Sequence, residues 1–309
     1  MKPFRKHVAI SIDGGGIRGV IVTKALSIME AALHKNSFNI FSLAAGTSTG
    51  AIIAAGIASG LTAELMTRLY DQLGDTIFRK SWRSFFWPLT KYRYSSQPLM
   101  EILTKYMGDR KMGNFWETSP RFDLIITTFD LVENRPRFIK PWKEEYADMP
   151  VVEAVLASSS IPTYFPVVDG RFVDGGIGSY SNPCFLAAYE LQNCLGWKLE
   201  ETTLISLGTG RNPNHIQVND PSRYSVLDWI DPLVDAFAHS ADDQQIHLVE
   251  TFFRNLDFRR FQVDLEEDLP VDDPKSIPVL IQYGEKMGQM ILDDAYDRAL
   301  GNRPDLEIH

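Results

Sequence analysis

The sequence predicts a three-layer α/β/α fold in which helices cover both faces of a mainly parallel central sheet. Short apolar runs of strand length alternate along the chain with segments whose apolar residues recur at helical spacing. Two of these runs lead through a glycine-rich turn into a predicted helix, as in a strand–loop–helix unit. No internal repeat and no Pro-, Gly- or Ser-rich linker divides the 309 residues, so we expect a single domain over residues 1–309.

The predicted strands are apolar runs bounded by turn residues. They cover His7–Ile12, Phe38–Ala44, Phe122–Phe129, Thr203–Leu207 and Leu256–Val263, the last at an edge of the sheet. Phe165–Val173 is predicted to form a short hairpin, because Asp169-Gly170 favours a tight turn.

The predicted helices carry apolar residues every three or four positions. They cover Val20–His34, Thr49–Ser59, Thr62–Leu73, Gln97–Tyr106, Pro150–Ser158, Asn182–Leu195, Ser225–Phe253 and Pro278–Leu300. Thr49–Ser59 is rich in small residues and suits a helix packed tightly under a sheet. Pro150–Ser158 is short, because the chain cannot stay helical up to Pro162.

The composition is that of an ordinary globular protein and limits the function classes. A net charge of −9 argues against a general nucleic-acid-binding protein. The most apolar stretch, Phe38–Leu61, is interrupted by glycines and hydroxyl residues, so a buried strand–turn–helix explains it better than a membrane span. Cys184 and Cys194 are the only cysteines, and no zinc-ligand spacing is present. We therefore expect no metal and a cytoplasmic location.

A glycine-rich loop follows the first predicted strand. Gly14, Gly16 and Gly19 match G-x-G-x-x-G between a strand and a helix, the context of a dinucleotide-binding loop. That interpretation also needs an acidic residue about 20 positions further on, and residues 36–45 contain none. It leaves Asp13 and the run of three glycines unexplained. From this loop alone, nucleotide binding and a turn without a ligand both stay open.

The same loop suits an oxyanion hole. Glycines let the backbone approach a ligand closely, and the helix that follows adds a favourable dipole for negative charge. The amides of Gly15 and Gly16 are the candidate donors. Arg18 is expected to steady the loop or an anionic head group rather than to perform chemistry.

A second glycine turn carries a candidate nucleophile. Gly46-x-Ser48-x-Gly50 lies between an apolar strand and a small-residue helix, which is the context of a nucleophile elbow. The sharp turn pushes the serine out of the sheet, and the flanking glycines relieve the crowding that results. A small-residue turn without function has the same letters, so the position between strand and helix is what favours the elbow.

The general base is either a histidine or a carboxylate. The histidines are His7, His34, His215, His239, His247 and His309. A Ser–acid–His triad could follow Ser48 and Asp174 with His215, His239 or His247. His239 and His247 lie in a polar helical stretch typical of solvated histidines, and His215 lies in a loop without a signature. Asp174 is the better candidate, because it follows an apolar pair and opens a glycine turn.

Taken together, the motifs resemble the patatin-like phospholipase family, whose fold is also described as FabD/lysophospholipase-like. Asp13–Gly19 resembles its oxyanion loop, Gly46–Gly50 its nucleophile elbow and Asp174–Gly176 its Asp-Gly-Gly/Ala motif, while Ala157–Pro166 resembles its small-residue and proline segment. Order and spacing agree over about residues 7–210. The residues that support these motifs are Asp13, Gly14, Gly19, Gly46, Gly50, Gly175 and Gly176.

The resemblance implies a Ser48–Asp174 dyad without a catalytic histidine. Ser48 would be acylated by a lipid ester of the phospholipid or lysophospholipid class, and Asp174 would take its proton. Gly15 and Gly16, with the Arg18 region, would hold the oxyanion. The resemblance implies no metal and no organic cofactor. It implies a lipid substrate at a membrane surface, and some family members are activated by a small ligand or a protein partner.

A basic and aromatic insertion near residues 76–96 is a candidate lipid contact. Residues 78–94 hold five basic residues, no acidic residue and seven aromatic residues. This combination suits a membrane interface, with Trp82, Phe85, Phe86 and Trp87 as contacts and peripheral membrane association as the consequence. Packing of these aromatics on the core is the alternative. From about residue 220 the chain is expected to be acidic and mostly helical.

Two other functions stay open at this stage. One is a Ser-His-Asp esterase of the α/β-hydrolase type that uses His215 or His239. The other is a lipid- or nucleotide-binding effector whose glycine loop grips phosphate without turnover. The head group, the acyl position and the oligomeric state are not encoded in these motifs.

Overall fold

The computed structural model describes residues 1–79, 91–213, 222, 224–225, 228–229 and 242–297. Its seven strands form one sheet. They are β1 (His7–Ile12), β2 (Leu43–Gly46), β3 (Asp123–Asp130), β4 (Arg135–Ile139), β5 (Phe172–Asp174), β6 (Thr202–Leu207) and β7 (Asp257–Phe261). The strand order is β4-β3-β2-β1-β6-β7, with β5 also paired to β3.

The sheet is mainly parallel, as the sequence predicts. The pairs β1–β2, β1–β6, β2–β3 and β6–β7 are parallel, and only β4 and β5 run antiparallel to β3. The helices are α1 (Gly19–Leu33), α2 (Ser37–Ile40), α3 (Thr49–Ala58), α4 (Ala63–Ile77), α5 (Gln97–Met107), α6 (Asn114–Glu117), α7 (Glu144–Ala147), α8 (Val151–Ser158), α9 (Cys184–Asn193), α10 (Asp242–Phe252) and α11 (Ile277–Leu292).

Two hydrophobic cores lie on opposite faces of the sheet. Successive side chains of a strand point to opposite faces, and β1 follows this rule with Ile10 and Ile12 in the larger core and Ala9 in the smaller one. The larger core is covered by α1, α3, α4, α5, α8 and α11, and the smaller core by α9 and α10. Helices on both faces confirm the three-layer prediction.

Most predicted elements are present with shifted ends, and one strand is corrected. Over Phe38–Ala44 the structure has a helical turn at Ser37–Ile40, and the strand begins only at Leu43. Phe38 and Ile40 pack against the larger core from this turn, so burial rather than strand structure accounts for their apolar character. Strand β4 was not predicted. The last predicted helix ends at Leu292, earlier than expected.

The predicted hairpin over Phe165–Val173 is present as a tight turn. Val168 and Phe172 form an antiparallel bridge, and Asp169 and Gly170 have positive φ values of 49° and 65°. Its second arm continues as β5, which pairs with β3. The hairpin therefore delivers Asp174 to the sheet.

Three motifs lie together at the carboxyl ends of the central strands β1 and β2. Ile12 pairs with Gly46, so the loops that follow β1 and β2 leave the sheet at the same level. Gly46 in turn pairs with Ile126 of β3, and Asp174 pairs with Thr128 two residues further along β3. The glycine loop, the serine turn and the Asp-Gly-Gly turn are thus neighbours, although 161 positions separate Asp13 and Asp174 in the sequence.

Candidate active site

Ser48 lies at a strained turn between β2 and α3. Its φ of 56° and ψ of −123° are a conformation that non-glycine residues rarely adopt. A Cβ added at Gly46 would overlap the Gly50 carbonyl, and one at Gly50 would overlap the backbone of Ile12. Both glycines are therefore required for the chain to turn this sharply. The turn has the geometry expected of a nucleophile elbow.

Two serines at the C-terminal end of α8, its last residue Ser158 and the following Ser159, hold this elbow. The backbone N–H of Ser48 donates to the hydroxyl oxygen of Ser158 at 2.8 Å. The hydroxyl of Ser159 donates to the Ser48 carbonyl oxygen at 3.2 Å. Both belong to the small-residue segment that the sequence singled out without assigning a role. Their function is to fix the backbone on either side of the candidate nucleophile.

Asp174 ends β5 as a buried carboxylate, 6% exposed. Burial raises its pKa to about 6, against an ordinary value of 3.8, while the Gly176 amide and the Ser48 side chain oppose the rise. The Gly176 N–H donates to Oδ1 at 2.8 Å. Oδ2 is buried and has no hydrogen-bond partner of ordinary geometry among the described residues.

The Ser48 side chain lowers the pKa of Asp174, so it lies within interacting distance of this carboxylate even though no bond of ordinary geometry joins them. Catalytic hydrogen bonds in ligand-free sites are often long or poorly aligned and shorten when substrate binds. The pair thus combines a strained serine with a carboxylate oxygen that no described residue occupies with an ordinary hydrogen bond and that can accept a proton.

The glycine loop passes directly beside Ser48. A Cβ added at Gly14 would lie 3.4 Å from the Ser48 Cβ. The backbone N–H groups of Gly15 and Gly16 donate to no residue that the structure describes, while the neighbouring Gly14 and Ile17 amides are both bonded. Two unpaired amides beside a candidate nucleophile can stabilise a developing oxyanion.

Gly16 needs to be glycine for two reasons. Its φ of 57° lies in the left-handed region, and a Cβ there would collide with the carbonyl oxygen of Val271. Arg18 differs from the loop glycines, because its N–H donates to the Gly15 carbonyl at 3.1 Å and its side chain is only 1% exposed. Its assignment to the oxyanion hole stays a prediction.

Asp13 anchors the glycine loop through a residue that the sequence did not single out. Arg260 on β7 donates to Oδ1 of Asp13 at 2.9 Å and to Oδ2 at 2.5 Å, and it also contacts Asp242 at 3.0 Å. Burial raises the pKa of Asp13 to about 7; Arg260 opposes the rise and Asp242 adds to it. The pair ties the loop after β1 to β7, which lies beyond β6 in the sheet; Arg260 is 247 positions from Asp13 in the sequence.

An apolar cavity opens beside Ser48. The empty space there is about 550 Å³, a figure that includes open solvent. Its lining includes Gly16, Ser48, Thr49, Ile52, Tyr70, Ile77, Phe78, Leu99, Tyr164 and Phe165. No charged side chain is among the described lining residues. A pocket with this apolar lining next to a nucleophile can hold the apolar part of a substrate.

The remaining predicted site residues are not brought into this centre. His247 lies on α10, where it interacts with Glu250. The other histidines of the triad alternative, His215 and His239, lie outside the described residues, as do the predicted lipid contacts Trp82, Phe85, Phe86 and Trp87.

Neither a metal cluster nor a membrane-crossing helix is found in the described part of the chain. No group of three or more His, Cys, Asp or Glu side chains there has the arrangement of a metal site. Within the same residues no helix combines the length and apolar character needed to cross a bilayer.

Comparison with known proteins agrees with the motifs. The family model described as patatin-like phospholipase matches residues 10–188, which include the glycine loop, Ser48 and Asp174. Patatin-05 from Solanum tuberosum is 24% identical, over 90% of this chain and 82% of that protein. A cGAMP-activated phospholipase from Vibrio cholerae is 27% identical, over 65% of this chain and 63% of that protein.

The fold also has a counterpart among solved structures. The structure of VipD from Legionella pneumophila superposes with a TM-score of 0.53, covering 99% of this chain and 70% of that one. Sequence identity is 11%, so this likeness concerns the arrangement of helices and strands alone.

Proposed function

The chain belongs to the patatin-like phospholipase family, and we propose that it is a serine acyl hydrolase that cleaves fatty acyl esters of phospholipids or lysophospholipids. One observation carries the proposal: Ser48 stands at a strained elbow beside Asp174, whose buried Oδ2 is unpaired among the described residues. A buried carboxylate oxygen without a hydrogen-bond partner lowers the stability of the fold. A role in accepting a proton explains why this arrangement is present.

In the acylation step, Oδ2 of Asp174 accepts the Ser48 hydroxyl proton while Oγ attacks the ester carbonyl carbon. The carbonyl π electrons move to the oxygen, and the Gly15 and Gly16 amides donate to the resulting oxyanion. When the carbonyl re-forms, the bond to the glycerol oxygen breaks, and that oxygen takes the proton from Asp174. The products of this step are the acyl-Ser48 ester and the free alcohol.

Deacylation repeats the same proton movements with water. Asp174 takes a proton from the water while the water oxygen attacks the acyl carbon. The Gly15 and Gly16 amides again donate to the oxyanion. Collapse breaks the bond to Oγ of Ser48, which regains its proton from Asp174. The fatty acid is released and the dyad returns to its starting state. The chemistry we propose requires no cofactor.

Labelling with a fluorophosphonate tests the nucleophile directly. We expect intact mass to rise by one adduct in the wild type and not in Ser48→Ala protein, and the wild type alone to release fatty acid from phospholipid or lysophospholipid vesicles. Thr49→Ala protein is a useful control, since it removes the neighbouring hydroxyl. An adduct or lipid hydrolysis that persists in Ser48→Ala protein would contradict the proposal.

Activation by a ligand is a further part of the proposal. The Vibrio cholerae relative is described as cGAMP-activated, so labelling of this chain should be compared with and without a cyclic dinucleotide. Faster labelling in its presence is the expected result, and equal rates would remove the cyclic dinucleotide as an activator.

The predicted lipid contacts are tested by binding to anionic vesicles. We expect Trp82→Ala/Phe86→Ala/Trp87→Ala protein to bind these vesicles more weakly than the wild type.

A further inference from the structure

A threonine on the loop after β6 holds one peptide of the glycine loop. The hydroxyl of Thr209 donates to the carbonyl oxygen of Gly14 at 2.5 Å, and the side chain is buried, 3% exposed. Among the described residues no other group donates to this oxygen. The hydroxyl thus fixes the direction in which the Gly14 carbonyl points.

The Gly14 carbonyl and the Gly15 N–H belong to the same peptide unit. A trans peptide unit is planar, so its C=O and N–H bonds point in opposite directions. The bond from Thr209 therefore also sets the direction of the Gly15 N–H, one of the two candidate oxyanion donors. A carbonyl that accepts a hydrogen bond polarises its peptide, which makes the N–H on the other side a stronger donor.

This peptide needs support from outside the glycine loop. Its rotation changes ψ of Gly14 and φ of Gly15, and glycine permits values there that a side chain would block. The next peptide, which carries the Gly16 N–H, is held from within the loop, because the Arg18 N–H donates to the Gly15 carbonyl at 3.1 Å. Thr209 supplies the equivalent bond for the first peptide, so both candidate donors have a fixed direction.

Thr209 also packs directly on Gly15. A Cβ added at Gly15 would lie 2.2 Å from Oγ1 of Thr209 and 2.7 Å from its Cβ. The absence of a side chain at position 15 is therefore what lets the hydroxyl come within bonding distance of the loop. This contact and the hydrogen bond together leave the peptide between Gly14 and Gly15 little room to rotate.

The backbone on either side of Thr209 is itself held in place. β1 and β6 pair along their full length, so the loops that follow them leave the sheet side by side. The Gly208 N–H donates to the Phe261 carbonyl at 3.0 Å, and the Gly210 N–H donates to Oε1 of Gln262 at 2.9 Å. Thr209 therefore reaches the glycine loop from a backbone that is bonded to β7 and the residue after it.

We propose that Thr209 is a positioning residue for the candidate oxyanion hole, whose hydroxyl keeps the Gly15 N–H directed at the oxygen that becomes negative when Ser48 attacks an ester. This inference rests on the proposed function, because the oxyanion forms only if Ser48 is the nucleophile. Thr209 acts through the glycine loop, since it is not among the residues that line the cavity at Ser48.

Steady-state hydrolysis of a lysophospholipid by four variants tests the proposal. Thr209→Val and Thr209→Ala remove the hydroxyl, and Thr209→Ser keeps it. Thr67→Val is the matched control, because Thr67 is also a buried threonine whose hydroxyl donates to a carbonyl oxygen, that of Ala63 at 2.9 Å. Thr67 lies on α4 and does not line the cavity at Ser48.

The expected effect is on kcat, because both half-reactions pass through an oxyanion. Loss of one oxyanion donor lowers kcat by about 10²–10³-fold, and a misdirected donor should lower it by part of that. We expect kcat to fall at least tenfold in Thr209→Val and Thr209→Ala protein, with KM changed less than threefold. Thr209→Ser and Thr67→Val protein should keep kcat within threefold of the wild type.

An alkyl trifluoromethyl ketone separates positioning of the donor from a general loss of packing. Oγ of Ser48 adds to the ketone carbon, the Ser48 proton passes to Asp174, and the ketone oxygen becomes an oxyanion that has no leaving group to expel. The secondary alcohol with the same carbon skeleton cannot form this adduct. In Thr209→Val protein the inhibition constant of the ketone should rise at least tenfold, and that of the alcohol should change less than threefold.

Three results would overturn the inference. One is a fall in kcat of less than tenfold in Thr209→Val or Thr209→Ala protein that circular dichroism shows to be folded. Another is Thr209→Ser protein no faster than Thr209→Val protein, or an equal loss in Thr67→Val protein. The third is an equal rise in both inhibition constants. Failure of the proposed function looks different, since the wild type would then hydrolyse no ester and would not bind the ketone more tightly than the alcohol.

Discussion

The glycine loop and the turn after β5 begin with the same three residues, Asp-Gly-Gly, yet their aspartates are in different situations. Asp13 and Asp174 are both buried, 5% and 6% exposed, and burial raises the pKa of both, to about 7 and about 6. Both oxygens of Asp13 accept bonds from Arg260. Asp174 accepts a bond from Gly176 at Oδ1, and among the described residues its Oδ2 has no hydrogen-bond partner of ordinary geometry.

The comparison shows that neither the motif nor a raised pKa identifies a general base. Asp13 has the larger rise, but its lone pairs are engaged by a guanidinium, so it serves as an anchor. Asp174 has an oxygen to which no described residue donates a bond of ordinary geometry, and the Ser48 side chain lies beside it, so it can take a proton. The decisive difference is the hydrogen-bonding state of each carboxylate oxygen.

The largest expected effect is on catalysis in Asp174→Asn protein. Removal of a general base that serves both half-reactions should lower kcat by about 10³-fold. Steady-state hydrolysis of a lysophospholipid measures it, with circular dichroism to confirm the fold. Activity within tenfold of the wild type would mean that another residue is the base.

Asp13→Ala protein should lose stability. The change leaves the Arg260 guanidinium buried with Asp242 as its remaining described carboxylate partner. Breaking a buried ion pair by removing one partner costs about 3–5 kcal/mol in favourable cases, and we expect about 3 kcal/mol in urea unfolding. A loss below 0.5 kcal/mol, which is about the effect of an ordinary surface change, would show that the pair is not an anchor.

Asp174→Asn should gain stability at neutral pH. The pKa of Asp174 is about 6 in the folded state, above its ordinary value of 3.8. The folded state therefore binds the proton more tightly than the unfolded state does. Above about pH 4, ionisation of Asp174 lowers the free energy of unfolding. The cost grows from about pH 4 to pH 6 and then stays constant, reaching on the order of 2–3 kcal/mol. Unfolding free energies of both proteins at pH 4 and pH 7.5 measure it. Equal differences at the two pH values would refute it.

The smallest expected effect is that of Asp242→Asn. Arg260 keeps its two bonds to Asp13, and removal of the second carboxylate also removes a charge that raises the pKa of Asp13. We expect a stability change below about 1 kcal/mol, as for a partly exposed pair, and an unchanged pH profile of hydrolysis. A shifted pH profile would mean that this network takes part in the proton transfer.

The local parts of the candidate site could be proposed from the sequence, and their catalytic roles stay predictions. Strand β1, the glycine loop, the serine turn and Asp174 follow from short patterns whose physical causes lie within a few residues. Arg260 could not be found in this way, because its charge is explained only by a partner 247 positions earlier. The same holds for Ser158, whose bond to the Ser48 amide spans 110 positions.

The errors in the fold have similar causes. Apolar residues at Phe38 and Ile40 indicate burial, but a helical turn and a strand bury them equally well over so short a run. Strand β4 begins Arg-Pro-Arg, a sequence that does not predict a strand. It lies at the edge of the sheet, where proline is tolerated. Position in the sheet is a tertiary property and leaves no local signal.

The pH dependence of Ser48 labelling by a fluorophosphonate tests the central claim most directly. If Asp174 is the base, the second-order rate constant in the wild type is half-maximal near pH 6 and rises as Asp174 ionises. In Asp174→Asn protein, labelling should be slow and its rate constant should not rise near pH 6, while Asp242→Asn protein should show the same rise as the wild type. A rise near pH 6 that persists in Asp174→Asn protein would contradict the account.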